Sequence, residues 1–256
     1  MILNAIVAGE GPPVVLLHGL FGAARNWGAM QRALAPRFRV IALDMRNHGA
    51  SPHAPDMRYA TQARDVLDTL DSLGALPAAI VGHSMGGKAA MAVALMRPEA
   101  VARLLVSDIA PVVYQHGNTA IAAAMRAVPL EPGLTRAQAG VALEAAVPDP
   151  GVRAFLLQNL TFGAAPAWRI GLADIAAAIP DLEGWDDAAP NHYDGPAVFV
   201  TGARSDYVLP EHRPGIRALF PAARFVAVKG AGHWVHADNP AGFLSVLEAF
   251  VHDWGA

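Results

Sequence analysis

The stretch VGHSMGGK (Val81–Lys88) carries two motifs at once. As G-x-S-x-G it sets Ser84 between Gly82 and Gly86, the pattern of a sharp strand-to-helix turn that exposes a nucleophilic hydroxyl. As G-x-x-x-x-G-K, through Gly82, Gly87 and Lys88, it is most of a phosphate-binding loop. Both patterns sit between a strand and a helix, so other residues must decide. The residue after the lysine is Ala89, which has no hydroxyl to hold magnesium. A phosphate loop also normally opens its nucleotide domain, whereas two strand signals precede this one. An acyl-transfer serine instead needs small neighbours, so that the helix packs close behind the turn. Gly82, Gly86, Gly87, Ala89 and Ala90 supply them. The nucleophile reading is the stronger.

Outward from the motif, PAAIVG (77–82) is a short apolar run ended by glycine and reads as a buried strand. KAAMAVALM (88–96) reads as a helix of small and apolar residues, halted at Pro98. VVLLHG (14–19), FRVIALD (38–44), RLLVSD (103–108), AVFVTG (197–202) and RFVAV (224–228) share the strand character. Between them, Trp27, Met30, Ala33 and Leu34 keep helical spacing, as do Ala63, Val66, Leu67, Leu70 and Leu73 before a stop at Gly74. A last helix is expected through about 240–253. Buried strands joined by helical crossovers predict an α/β fold, a mostly parallel sheet with helices on both faces. Residues 112–195 break the alternation. Stretches such as TRAQAGVALEAAV (135–147) and AWRIGLADIAAAI (167–179) predict helices between prolines, and no strand. The expected organisation is a core of residues 1–111 and 196–256, with a helical lid, 112–195, over the C-terminal edge of the sheet.

Composition narrows the function classes. The 256 residues are 54% hydrophobic and 16% charged, enough for one substantial α/β domain. A formal charge of −3 gives no reason to expect nucleic acid or an anionic membrane as partner. With no cysteine, neither disulfides nor thiolate chemistry is available. The opening MILNAIVAGEGPP has no basic leader, and no apolar run approaches a membrane span. A cytoplasmic protein is expected.

Three further features stand in the chain order that a serine nucleophile requires. HGLFG (18–22) follows an early strand, where a glycine-bearing turn can aim a backbone N–H at the same point as the N–H of Met85. Leu20 and Met85 are therefore the expected oxyanion donors. GAGHWVH (230–236) follows the last strand, and His233 lies where a general base must return to meet Ser84. His236 is the local rival, better read as a helix-entry residue. A His233/His236 metal pair has no H-E-x-x-H or further ligands behind it, so no metal or cofactor is expected. Between serine and histidine, Asp108 and Asp206 are both candidates for the acid.

HGLFG, DMRNHGAS (44–51), GHSMGGK and GAGHWVHAD together resemble the α/β-hydrolase superfamily, and within it the YbfF-type bacterial esterases. The resemblance runs over the whole chain outside the lid. It implies a carboxylesterase, or alternatively an acyl-CoA thioesterase, that uses a Ser/His/Asp triad and no cofactor. The substrate would be a small ester or thioester with a short- to medium-chain acyl group. A serine at the elbow argues against the dehalogenases and epoxide hydrolases of the superfamily, which place aspartate there. In VTGARSDYV (200–208) the usual acid position of the superfamily, three residues after Gly202, holds Ser205, and Asp206 comes one step late. In the YbfF-like group the aspartate of SDIAP is a group feature. Asp108 is thus the expected acid, with Asp206 as the alternative.

Phe21, Phe162, Trp168, Tyr207 and Trp234 are candidates to line an apolar substrate pocket, each equally able to be plain core. Arg25, Arg46 and Lys88 lie near the motif loops and could meet the phosphates of coenzyme A, although solvated surface charge is the simpler reading. A nucleotide-binding protein and a low-turnover ligand receptor are the readings from other classes. Oligomeric state is not legible.

Overall fold

The computed structural model describes residues 1–115, 117–185, 192–252 and 254. Its strands are β1 (Ala5–Ala8), β2 (Pro13–Leu17), β3 (Arg39–Leu43), β4 (Ala78–His83), β5 (Val101–Ser107), β6 (Leu160–Thr161), β7 (Ala167–Trp168), β8 (Ala197–Gly202) and β9 (Ala223–Val228). Seven of them form one sheet in the order β1-β3-β2-β4-β5-β8-β9. All neighbours are parallel except β1, which runs antiparallel along β3. The helices are α1 (Gly28–Leu34), α2 (Tyr59–Ser72), α3 (Met85–Met96), α4 (Asn118–Ala127), α5 (Arg136–Leu143), α6 (Pro150–Leu156), α7 (Leu172–Ala177), α8 (Ile179–Glu183), α9 (Arg213–Leu219), α10 (Val235–Asp238) and α11 (Pro240–Val251).

The alternation of strand side chains divides the core in two. Val15 and Leu17 of β2 join Val66 and Leu70 of α2 and Met91 of α3 on one face. Val14 and Leu16 join Trp27, Leu34 of α1, and Phe243 and Leu247 of α11 on the other. With helices on both faces, the central strands have no solvated side, which is why they read as continuous apolar runs. β4 is buried at all six positions.

Two expectations need correction. The strand β1 was not expected, because Ile6 and Val7 are about 40% exposed and a four-residue edge strand shows no buried period. The stretch 112–195 also contains a strand pair. β6 and β7 pair antiparallel, so AWRIGLADIAAAI begins as strand and turns helical only at Leu172. Two-residue strands carry too little pattern to be read. The described insertion otherwise carries five α-helices, α4 to α8, and a 3-10 turn at Leu157–Asn159. Among the described residues no helix is long and apolar enough to cross a membrane.

This topology brings the chemistry to one edge. β4, β5, β8 and β9 are parallel neighbours, so the residues at their C-terminal ends meet at a single crevice.

Candidate active site

Ser84 follows directly on β4 and begins the turn into α3, with φ 52° and ψ −119°. A non-glycine residue in this region stores roughly 1–3 kcal/mol of strain, held here by close packing all round. A Cβ on Gly82 would stand 2.2 Å from the carbonyl oxygen of Gly86, and one on Gly86 would stand 2.5 Å from that of Leu17. Gly87 has no room either, since its Cβ would meet Ile109 at 2.6 Å. The glycines are therefore steric requirements of the turn, and phosphate contact is not their purpose.

Asp108 follows directly on β5, also at positive φ (54°), and is fully buried. Its Oδ1 accepts from Thr201 Oγ1 at 2.8 Å and from the backbone N–H of Gly202 at 3.0 Å. Its Oδ2 accepts from the Ser205 hydroxyl and, at 2.8 Å, from Nδ1 of His233. Nε2 of His233 lies 3.0 Å from Ser84 Oγ. One hydrogen-bonded line thus runs from Ser84 through His233 to Asp108. Asp206 is exposed, while both nitrogens of the ring face Ser84 and Asp108.

The histidine is held from two sides. Tyr207 stacks on its ring at 3.6 Å between centroids, with 17° between the planes. His83 Nε2 donates to its backbone carbonyl at 2.9 Å. Burial keeps the His83 ring well below the usual imidazole range, hence neutral.

The 18–22 turn comes against the serine. A Cβ on Gly19 would lie 2.9 Å from His83 Nδ1 and 3.2 Å from Ser84 Cβ, so a larger residue would push the turn away from the serine. Phe21 N–H is spent on His48 Nε2 at 3.1 Å, and Gly22 N–H on Gly19 O at 2.9 Å. Leu20 and Met85 both border the cavity above Ser84. Two buried histidines fix this turn: His18 Nε2 accepts from Met45 N–H at 3.0 Å, and His48 accepts from Phe21 as above.

The cavity holds about 430 Å³, within the range of small-molecule sites. The core side supplies Phe21, Tyr207 and Trp234, and the insertion supplies Ile121, Val152 and Phe155. Two expected lining residues are elsewhere. Phe162 is 37% exposed, next to β6 at the hairpin turn. Trp168 is drawn away by its indole N–H, which donates to Met125 O at the end of α4 at 3.0 Å. Neither lines the cavity.

The basic side chains that could have met a phosphate are otherwise engaged. Arg25 donates to Gln158 O at 2.9 Å, and Arg46 is buried against Asp65 at 2.6 Å. Lys88 is 1% exposed and aims its ammonium at backbone carbonyls, which excludes it as a phosphate ligand in this conformation. Ser205, Thr201, His83 and His48 went unread as site residues. For Ser205 there was a signal, since a hydroxyl in the usual acid position can donate to an acid placed elsewhere.

With this geometry in hand, the class is defined. A family model described as alpha/beta hydrolase fold matches residues 12–240, and the chain belongs to that family. It is 41% identical over 249 residues to the sn-1-specific diacylglycerol lipase ABHD11 of Mus musculus, covering 94% of this chain and 81% of the relative. It is 38% identical over 242 residues to Esterase YbfF of Escherichia coli (strain K12), covering 94% and 93%. Among solved structures, a marine microorganism esterase superposes with a TM-score of 0.94 at 34% identity, covering 97% of this chain and 99% of the other.

Proposed function

We propose that this protein is a serine hydrolase that cleaves carboxylic esters of small molecules through an acyl-enzyme on Ser84. The observation that carries this reading is the hydrogen-bonded line Ser84–His233–Asp108 at the floor of a mainly apolar cavity. Ser84 Oγ attacks the acyl carbonyl while His233 Nε2 takes its proton, later handing it to the leaving alcohol. Asp108 fixes the ring with Nδ1–H toward itself and stabilises the imidazolium. The N–H groups of Leu20 and Met85 receive the developing oxyanion, each such donor contributing roughly 3 kcal/mol. Water then resolves the acyl-enzyme by the same route.

Esters are preferred over coenzyme A thioesters because Arg25, Arg46 and Lys88 are committed to protein contacts. The relatives' names, esterase and lipase, point the same way. Residues 112–195 act as the lid, since α4, α6 and α8 each give a wall of the cavity. A cytoplasmic site of action is part of the same proposal and suits a cysteine-free chain that handles small molecules.

A fluorophosphonate probe is expected to label one residue, Ser84, and to leave Ser84→Ala unlabelled though folded. Peptide mapping by mass spectrometry reads the result. Labelling at another residue, or turnover of p-nitrophenyl esters by the alanine variant, would overturn the serine mechanism.

A further inference from the structure

Lys88 is a buried amine that the hydrolytic mechanism does not use. Burial lowers it from the usual lysine range to about 7, and the acceptors around it favour its charged form. It lies on α3, one helical turn beyond Ser84, and its own N–H bonds the Ser84 carbonyl at 3.0 Å. Its ammonium has three protons and three acceptors: the carbonyls of Val112 at 2.9 Å, of Glu183 at 3.1 Å, and of Gly184. These acceptors are not scattered. Val112 lies where the chain leaves the core for the insertion, and Glu183 and Gly184 lie at the far end of α8. The two passages are also stitched to each other, Tyr114 N–H to Glu183 O at 2.9 Å. The rings of Tyr114 and Tyr59 flank the ammonium at 4.8 and 5.5 Å, their negative faces toward it. Tyr59 adds a bond of its own to Leu182 O, at 2.6 Å. The Glu183 carboxylate accepts from Asn118 Nδ2 at 2.9 Å, so the carbonyl dipoles and ring faces are the ammonium's direct partners.

We propose that Lys88 is a positioning residue that clasps both roots of the helical cover α4–α8, Val112 before it and Glu183–Gly184 at its end, onto the helix that carries Ser84. The lysine that imitates a phosphate-loop residue in the sequence is then the joint between cover and nucleophile. With the clasp closed, Ile121, Val152 and Phe155 stand at a fixed height above Ser84, and the acyl group meets a preformed wall. Without it, three converging carbonyls lose their shared donor and repel one another, and the roots part. The chemical groups themselves, Ser84, His233 and Asp108, do not depend on the ammonium. Loss of the clasp is therefore a defect of substrate binding and not of the chemical step. This inference rests on the hydrolase reading for its kinetic consequence, but the clasp itself does not.

The test is Lys88→Met, which keeps the apolar stem and removes the three donors. Hydrogen exchange at 112–115 and 182–185 is expected to quicken about tenfold or more, with β4 and β5 unchanged. KM for p-nitrophenyl hexanoate should rise about tenfold with kcat held within about threefold, the signature of lost binding alone. Unchanged exchange at the roots, or a loss in kcat at constant KM, would overturn the proposal. Should the variant fail to fold, the wild type still decides. Lys229, exposed, is the chain's other lysine and an internal reference for amine acetylation. Acetylation of Lys88 should run at least about 100-fold slower than at Lys229 and keep pace with exchange at the two roots. Equal rates at the two lysines would overturn the clasp. If instead the wild type takes no fluorophosphonate and cleaves no ester, the hydrolase reading fails while the exchange and acetylation results still judge the clasp.

Discussion

Asp108→Asn is expected to lower kcat for ester hydrolysis by about 10⁴-fold, and Asp206→Asn to leave it within about threefold. The asymmetry follows from the hydrogen bonds around each carboxylate. Thr201 Oγ1–H and Gly202 N–H both need an acceptor where Oδ1 of Asp108 now stands. An asparagine would satisfy them with its single carbonyl oxygen, so its NH₂ would turn toward His233 Nδ1. The ring would then carry its proton on Nε2, facing Ser84, and could not accept the serine proton. Asparagine is also among the non-glycine residues most tolerant of positive φ, so the 54° backbone of position 108 survives the exchange. The loss is thus expected in kcat with the melting temperature little changed. Steady-state kinetics on a p-nitrophenyl ester, with circular dichroism as the control for folding, reads both. A near-normal Asp108→Asn enzyme would transfer the role of acid to Asp206.

The sequence showed most clearly what depends on local pattern. Strands buried on both faces are near-continuous apolar runs, and β4 announces itself together with the small residues its turn demands. The conflict over Lys88 could be decided against a nucleotide loop by one missing hydroxyl, at Ala89. Its actual partners were not legible, because backbone carbonyls 24, 95 and 96 residues away leave no mark in the identity of any residue. The same reason hid His48, whose acceptor nitrogen serves a backbone N–H from another loop. The aromatic candidates divide along similar lines. Tyr207 and Trp234 sit in loops already tied to the site by Gly202 and His233. Phe162 and Trp168 belong to an insertion whose fold has no period to read, and a single indole hydrogen bond sends Trp168 elsewhere.

Lowering the pH from 7 to 4 is expected to remove most of the protein's stability, and buried histidines are the cause. Burial, the largest influence on each, pulls His18 and His236 down to about 4 and His48 to about 3. For His18 and His48 the geometry gives a second reason. Each ring donates through Nδ1, to Gly19 O and Arg46 O at 2.8 Å, and accepts a backbone N–H at Nε2. Protonation would set two donors face to face. In the unfolded chain the same rings titrate near 6.5. Above pH 7 both states are neutral and the histidines leave stability unchanged. As the pH falls through 6.5 the unfolded chain takes up protons that the native state refuses, so stability falls, and continues to fall until the native rings titrate. At one pKa unit per 1.36 kcal/mol, each of the three contributes a loss on the order of 3 kcal/mol by pH 4, and His83 adds to it in the same direction. Set against the roughly 5–15 kcal/mol that holds a domain folded, this is most of the stability. Urea melts from pH 7 to 4 should therefore steepen below 6, with about four protons taken up by these rings on unfolding near pH 5. His236→Phe should remove one of them. That ring stacks on Trp27 at 4.6 Å, and its buried Nδ1 finds no hydrogen-bond partner among the described residues, so an apolar ring of similar shape loses nothing. Stability that holds level to pH 4.5 would show that these rings charge freely in the native state, against the bonds that pin the turn beside Ser84.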